Sequence, residues 1–523
     1  MTLTLLTDHL RAMAGAFPDE VGYRVVDVGE MTFGQWEAES NRLARGLVDR
    51  GVAKGDRVAL YLRAEEALRF MVAYAAVHKA GAVAVPTNIR LTDSELGHLL
   101  GHAEVKVMLT DTELWPAADR VATGLPTVSH ILTAPPSMSG APADTGSPAD
   151  TGSPADTAPW SWGGAGTDDG SEFQVPVDAD DLADILYTSG TTGLPKGVAI
   201  RHRNVALIPG APNPIYSGHS WLHASPLFTF AGIGFIYNPM QLGLFGVFQP
   251  RFDAGRWIEI VAELKPQFVF LVPAMAQLIV THEAFGSAEL DSIQICAVGS
   301  SPLAPSTLRA LQERMPEASV SNSYGMTEAG PAYCSMPKGE ALKRIGSVGL
   351  PMAPLEVKIL GDDGRELATG EIGEAVLRME GRQREYYRNP EATAGTWKDG
   401  WLYSGDLARL DDDGYLYIVG RKKDVIIRGG NNIHAVDIEA VLLDHADVIE
   451  AGVVGIPHQV LGEDVAAVVV LAARSTVTAD DLRAHCAEKL ADYKVPRRIE
   501  FSDELPRNAT GKILKEKLRQ SLA

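Results

Sequence analysis

The sequence predicts an α/β protein of more than one domain, and three observations carry that prediction. Short continuous apolar runs alternate with helical stretches, the pattern of strands buried on both faces of a sheet and joined by helices. At 523 residues the chain is too long for a single core. After Gly420-Arg421-Lys422-Lys423, residues 424–523 start a second set of strands and helices. That is the spacing of a small α+β domain on a short hinge.

The elements follow in order. Val58-Ala59-Leu60-Tyr61-Leu62 reads as a strand, residues 65–79 as a helix, and Val83-Ala84-Val85 as the next strand after Gly81. Phe268-Val269-Phe270-Leu271-Val272 and Ile295-Cys296-Ala297-Val298 are strands stopped by Pro273 and Gly299. Past the hinge, strands are expected at residues 425–427, 451–454 and 465–471, with helices near 435–444 and 479–490. Residues 135–170 break the pattern. The hexad Pro-Ala-Asp-Thr-Gly-Ser recurs from Pro142 to Thr157 with almost nothing apolar to bury, so a disordered loop is expected there.

Composition excludes several classes. Hydrophobic residues make up 46% and charged residues 22%, as in an ordinary globular enzyme. A net charge of -20 argues against nucleic acid or an anionic membrane surface as partner. No stretch reaches the roughly 18 apolar residues a membrane helix needs. The N-terminus lacks the basic start and long apolar core of a signal peptide. Cys296, Cys334 and Cys486 lie far apart, without zinc or redox spacing, so reduced structural thiols and a cytoplasmic location are expected.

One segment points to chemistry directly. Tyr187-Thr188-Ser189-Gly190-Thr191-Thr192-Gly193-Leu194-Pro195-Lys196-Gly197 follows the apolar run Asp184-Ile185-Leu186. Glycines let successive N–H groups turn towards one anion, and hydroxyls add donors without charge. The segment reads as a phosphate cradle. It is not a Walker A loop, because Lys196 follows a proline and the required Gly-Lys-Ser/Thr end is missing.

This string resembles the phosphate loop of the adenylate-forming superfamily of acyl-CoA synthetases, luciferases and peptide-synthetase adenylation domains. Four more motifs resemble that family in its order: Ser323-Tyr324-Gly325-Met326-Thr327-Glu328, Tyr403-Ser404-Gly405-Asp406, Gly420-Arg421-Lys422-Lys423-Asp424, and Pro506-Arg507-Asn508-Ala509-Thr510-Gly511-Lys512. Together they span nearly the whole chain. The resemblance implies a large multi-layered α/β adenylation domain over 1–419, a hinge at 420–423 and a small mobile α+β domain over 424–523. It implies ATP and CoA as substrates and Mg²⁺ as cofactor.

Roles follow residue by residue from the resemblance. Thr188, Ser189, Gly190, Thr191, Thr192, Gly193 and Lys196 would hold the phosphates. Glu328 would hold Mg²⁺, with the Thr188 hydroxyl assisting. Tyr324, with Ser323, Gly325, Met326 and Thr327 around it, would stack on adenine. Gly299, Ser300, Ser301 and Pro302 would form the opposing wall, although the family more often has Gly-Gly-Ala or Gly-Ala there. Asp406 would accept both ribose hydroxyls, as a carboxylate can, and Arg421 would reach ribose or phosphate. Asp411, Asp412 and Asp413 read as turn and solvated charge. Lys512 would bridge the attacking carboxylate and the α-phosphate, and Lys423 would be the hinge. Gly429 and Gly430 would line the thiol channel. Two departures weaken the thiol half: Ala435 where proline is common, and Asp437 where glutamate is common.

The acid is a small-molecule carboxylic acid. Its pocket candidates are Phe228, Thr229, Phe230, Ala231, Gly232 and Ile233, apolar apart from Thr229 and without a basic residue among them, so an apolar acid follows. Thr229 stands where the family usually has histidine after Pro-Leu-Phe. The smaller side chain is expected to free volume for an acid bulky near its carboxyl group, such as a polycyclic one. No carrier domain is present in the sequence. CoA, a carrier protein or a partner ligase stay open as acyl acceptor, and a homodimer stays open.

Overall fold

The computed structural model describes residues 5–135, 160–188, 195–205, 213–331, 334–472, 474–507 and 512–522. The chain divides into two compact units. One comprises Met1–Phe252 with Arg384–Thr393, the other Asp253–Gln383 with Ala394–Ala523.

In the first unit a seven-stranded sheet runs in the order Glu385–Tyr386, Lys196–Arg201, Leu182–Thr188, Val83–Pro86, Arg57–Tyr61, Val105–Thr110, His130–Thr133. From Leu182–Thr188 to His130–Thr133 the neighbours are parallel, while Leu182–Thr188 and Lys196–Arg201 form an antiparallel hairpin. The helix Ala67–Lys79 is buried at every position, so it has no polar face. Its three basic residues are therefore paired. Arg69 meets Glu66 at 2.5 Å, His78 meets Asp184 at 3.0 Å, and Lys79 meets Glu37 at 2.7 Å. Burial lowers the Lys79 ammonium to about 8, with Glu37 opposing the shift. A second group of strands, Gly29–Thr32, Val21–Val25, Phe245–Phe248 and Ser220–His223, also lies in this unit.

The expected loop over 135–170 falls largely outside the described residues. Its described end, residues 160–170, is packed. Trp162 is 2% exposed and donates its indole N–H to the Arg69 carbonyl at 3.1 Å. The hexad repeats hid this anchor, because two tryptophans close to a low-complexity run read as part of it.

The second unit contains the parallel strands Phe268–Leu271, Ile295–Gly299 and Ser319–Ser323. It also holds an antiparallel sheet that includes Leu355–Leu360, Gly373–Met379, Trp401–Leu410 and Leu416–Arg421. Towards the C-terminus a five-stranded sheet (Ile426–Arg428, Asn431–Ile433, Val448–His458, Gly462–Leu471, Arg498–Phe501) packs with helices Ala435–Leu443 and Ala479–Lys489. Residues 426–499 have their own core, built on Ile438, Leu442, Val453, Val465 and Leu482. The fold is α/β with a small α+β part, as the apolar runs predict.

Candidate functional site

In the first unit, the phosphate-loop segment joins the two strands of the hairpin. Thr188 and Lys196 are register partners at its two feet, and the Thr188 hydroxyl reaches the Lys196 carbonyl at 3.5 Å. Ser189, Gly190, Thr191, Thr192 and Gly193 lie outside the described residues. Gly197 is required by packing, since a Cβ there would stand 2.7 Å from Ile185. The Lys196 ammonium lies 5.1 Å over the Tyr386 ring.

The acid-pocket candidates are in the same unit, at the start of the helix Phe230–Gln241. Here the structure gives Thr229 a task that spacing did not reveal. Its hydroxyl accepts from the Gly232 N–H at 3.1 Å and donates to the Pro226 carbonyl at 2.7 Å, so Thr229 caps this helix. Gly232 has no alternative, because a Cβ would sit 2.0 Å from the Pro226 carbonyl oxygen. Phe228, Thr229, Phe230 and Ala231 are half-buried, and Ile233 is buried. A basic residue does stand beside them, brought from far along the chain. The buried Arg384 guanidinium lies 5.2 Å over the Phe230 ring and donates to the Asn204 carbonyl at 2.9 Å.

In the second unit, Gly299 and Ser323 are partners at the C-terminal ends of neighbouring parallel strands. Gly299, Ser300, Ser301 and Pro302 therefore leave the sheet beside Tyr324, Gly325, Met326 and Thr327, at the edge where α/β sheets place ligands. Ser300 adopts φ +80°, a conformation that strains a non-glycine residue and clusters at functional sites. Tyr324 donates its hydroxyl to Asp406 at 2.6 Å. Burial, then the Asp406 charge, raises the phenol well above its ordinary value, so it stays a donor. The other Asp406 oxygen holds Arg421 Nε at 2.7 Å, and Arg421 also donates to the Ser404 carbonyl at 3.2 Å. Gly405, at φ +68°, makes the turn in Ser-Gly-Asp that a side chain would strain.

Lys512 lies in the electrostatic neighbourhood of this cluster. Although exposed by area, its ammonium is held below the ordinary lysine value, first by lost solvation and then by Arg421, with Asp406 and Asp424 opposing. Lys423 is lowered by the same first cause. Glu328 is half-buried.

Gly429 and Gly430, at φ +57° and +85°, form the two-residue turn between Ile426–Arg428 and Asn431–Ile433. Hairpin geometry alone calls for glycine there. The two departures have local partners as well. Ala435 begins the helix Ala435–Leu443, and Asp437 in its first turn meets Lys494 at 2.8 Å. Of the triple aspartate, Asp411 and Asp413 both pair with Arg344, and Asp411 accepts the Tyr415 N–H at 2.9 Å, so the turn is tied down as well as solvated. Cys296 and Cys486 are buried and Cys334 is half-buried. Burial pushes their thiols up to about 12, 11 and 12 respectively, which leaves them unreactive.

Two family models match this chain: AMP-binding enzyme over residues 10–387, and AMP-binding enzyme C-terminal domain over residues 437–512. The chain belongs to the AMP-binding enzyme family. It is 34% identical to a feruloyl-CoA synthase of Amycolatopsis sp over 94% of each chain. It is 33% identical to a 2-succinylbenzoate–CoA ligase of Geobacillus kaustophilus over 91% of this chain and 90% of that one. A fatty acid–[acyl-carrier-protein] ligase, ScoC of Streptomyces coeruleorubidus, is 32% identical over 94% and 91%. Among solved structures, an anthranilate CoA ligase with anthranoyl-AMP superimposes with TM-score 0.86 at 26% identity, covering 99% of this chain and 97% of that one. ATP-bound MatB from Rhodopseudomonas palustris gives 0.81 at 28%, covering 100% and 99%. This AMP-binding enzyme is thus an adenylate-forming ligase of the acid–thiol type. Among its described residues no helix is long and apolar enough to cross a membrane.

Proposed function

We propose that the enzyme is an acyl-CoA synthetase acting on an apolar acid that is bulky near its carboxyl group. One observation carries the adenylation half: Tyr324, Asp406 and Arg421 form one bonded cluster, and Lys512 feels its charges. In the first step a carboxylate oxygen attacks the α-phosphorus of ATP, and the bond to pyrophosphate breaks. Lys512 lowers the repulsion between the two anions as they meet. In the second step the CoA sulfur attacks the acyl carbon and AMP leaves.

Magnesium suits the donor set. Among the described residues no group of three His, Cys, Asp or Glu side chains could hold a metal. An ion held by one protein carboxylate and the substrate's own phosphates is the magnesium pattern. Glu328 would supply the carboxylate and Thr188 its hydroxyl, and the ion would neutralise phosphate charge.

For the second step the small domain turns on the hinge at 420–423. The ties flanking Lys423 support a pivot there. Lys422 meets Asp362 at 2.9 Å and Glu374 at 3.3 Å on one side, while Asp424 meets Arg519 at 3.5 Å on the other. A bulky acid is supported by Thr229 in place of a ring and by the apolar neighbours. The anthranilate named for one relative carries its carboxyl on a ring and agrees with this, while the feruloyl name agrees with a ring-bearing acid more broadly. Three cysteines without zinc or redox spacing suit a cytoplasmic enzyme.

A second reading, transfer to a carrier protein, is favoured by the name of the ScoC relative. The test is acid-dependent pyrophosphate release over straight-chain, aryl and polycyclic acids, with and without CoA. Release by a ring-bearing acid, with thioester only when CoA is present, is the expected result. Release without thioester would favour the carrier reading, and no release with any acid would overturn both.

A further inference from the structure

Residues 384–388, Arg-Glu-Tyr-Tyr-Arg, return to the first unit from far along the chain and add the strand Glu385–Tyr386 to the edge of Lys196–Arg201. Each side chain makes its own contact around the phosphate-loop hairpin. Arg384 backs Phe230, and Glu385 takes Arg201 at 3.0 Å. Tyr387 packs edge-on against His102 with ring centroids 5.8 Å apart, and His102 Nδ1 meets the Tyr187 hydroxyl at 2.7 Å. Arg388 reaches Glu104 at 2.5 Å. The Tyr387 N–H donates to the Gly197 carbonyl at 2.8 Å. Both strands of the hairpin are thus gripped by this one segment: Tyr187, next to the foot Thr188, through His102, and the foot Lys196 through Tyr386.

Register explains the second grip. Tyr386 pairs with Val198, so Lys196, two residues along, is a diagonal neighbour on the same face. Gly197, between them, adds no side chain. The ring face of Tyr386 carries negative potential and attracts the ammonium. A lysine stem otherwise samples many rotamers, and freezing it on ligand binding costs affinity.

We propose that residues 384–388 are a strap on the two strands that flank the phosphate-loop segment, and that Tyr386 is a positioning residue for Lys196. The ring holds the ammonium at the loop foot before the triphosphate arrives. This rests on the reading of residues 187–197 as a phosphate loop.

The test is a double-mutant cycle on the full-length protein, reading the dissociation constant of Mg·ATP by calorimetry. Tyr386→Leu should weaken ATP binding about 5-fold, and Tyr386→Phe should stay within about twofold, because Phe keeps the ring face. In a Lys196→Met background, Tyr386→Leu should add nothing. Melting temperatures of all variants identify any that fail to fold, and Tyr386→Phe keeps the comparison usable if Leu does. Equal weakening by Leu with and without Lys196, or none at all, overturns the strap. Equal weakening by Phe and Leu does so too. A wild-type protein that binds no ATP would instead overturn the phosphate-loop reading. Lys196→Met that weakens ATP while Tyr386→Leu does not would sink the strap alone.

Discussion

The two units hold their candidate nucleotide residues by different means. In the first, Thr188 and Lys196 stand at the feet of a hairpin whose strands are buried in a sheet, and an aromatic residue lies under the Lys196 ammonium. In the second, Asp406 is already bonded to Tyr324 and Arg421, and Lys512 and Lys423 lie within reach of those charges. Packing sets the first group; charge sets the second. The difference matters because a packed hairpin resists displacement, whereas the buried Asp406 carboxylate must keep a donor and can only trade one for another. Under the proposed function, ribose hydroxyls would replace one of the donors now on Asp406, and the small domain would turn at Lys423.

The charged group should show the larger effects. Lys512→Ala is expected to slow acid-dependent pyrophosphate release on the order of 10²–10³-fold, since its charge acts mainly as the transition state forms. ATP affinity should stay within a few-fold. A rate within threefold of wild type would remove Lys512 from the mechanism. Next comes Lys423→Pro, which fixes one backbone rotation at the pivot. Adenylate formation should be near normal, while conversion of preformed acyl-adenylate with CoA falls more than about tenfold. Unchanged conversion would mean that the small domain need not turn here.

The packed unit should respond in stability before activity. His223 is buried beside Tyr23 at 2.5 Å, and burial alone lowers its imidazole to about 3. His202 is lowered to about 3 by burial and then by the His78 charge. Unfolded, both titrate near 6.5. Between these values the unfolded chain binds more protons, so their contribution is complete above about pH 6.5 and is lost as pH falls, by up to about 1.4 kcal/mol per pH unit for each. His223→Gln should therefore lose about 2 kcal/mol less than wild type between pH 7 and pH 5, read by urea unfolding. Equal losses would show that this ring is not the acid-sensitive group. The smallest effect belongs to Thr229→Val, which removes the cap of the helix Phe230–Gln241 and should cost about 1 kcal/mol. Thr229→Ser should restore most of it. If Val costs nothing, the hydroxyl is not holding the helix.

The cap also sharpens the substrate question. Replacing Thr229 by the ring usual in the family removes a helix cap as well as volume. A loss shared equally by straight-chain and cyclic acids would trace to the cap, and a loss confined to cyclic acids would trace to the pocket.

Most of the scaffold was legible beforehand. The apolar runs at residues 58–62, 268–272 and 295–298 became the strands Arg57–Tyr61, Phe268–Leu271 and Ile295–Gly299 with shifts of a residue or so. The hairpin that presents the phosphate loop was only half visible, because Lys196–Arg201 opens with a lysine and a glycine. Trp162 was lost in the hexad region, since a lone anchor beside a polar repeat has no periodicity to reveal it.

What the sequence determined by itself was the chemistry: which hydroxyls, glycines, carboxylates and lysines are present, and in what order. Those are local properties, carried by consecutive residues. Tertiary structure alone decided the partners. Arg384 behind Phe230, Tyr386 under Lys196 and Tyr324 on Asp406 join residues 154, 190 and 82 positions apart. No sequence period links such pairs, because each depends on which strand edges lie side by side once the sheets have formed.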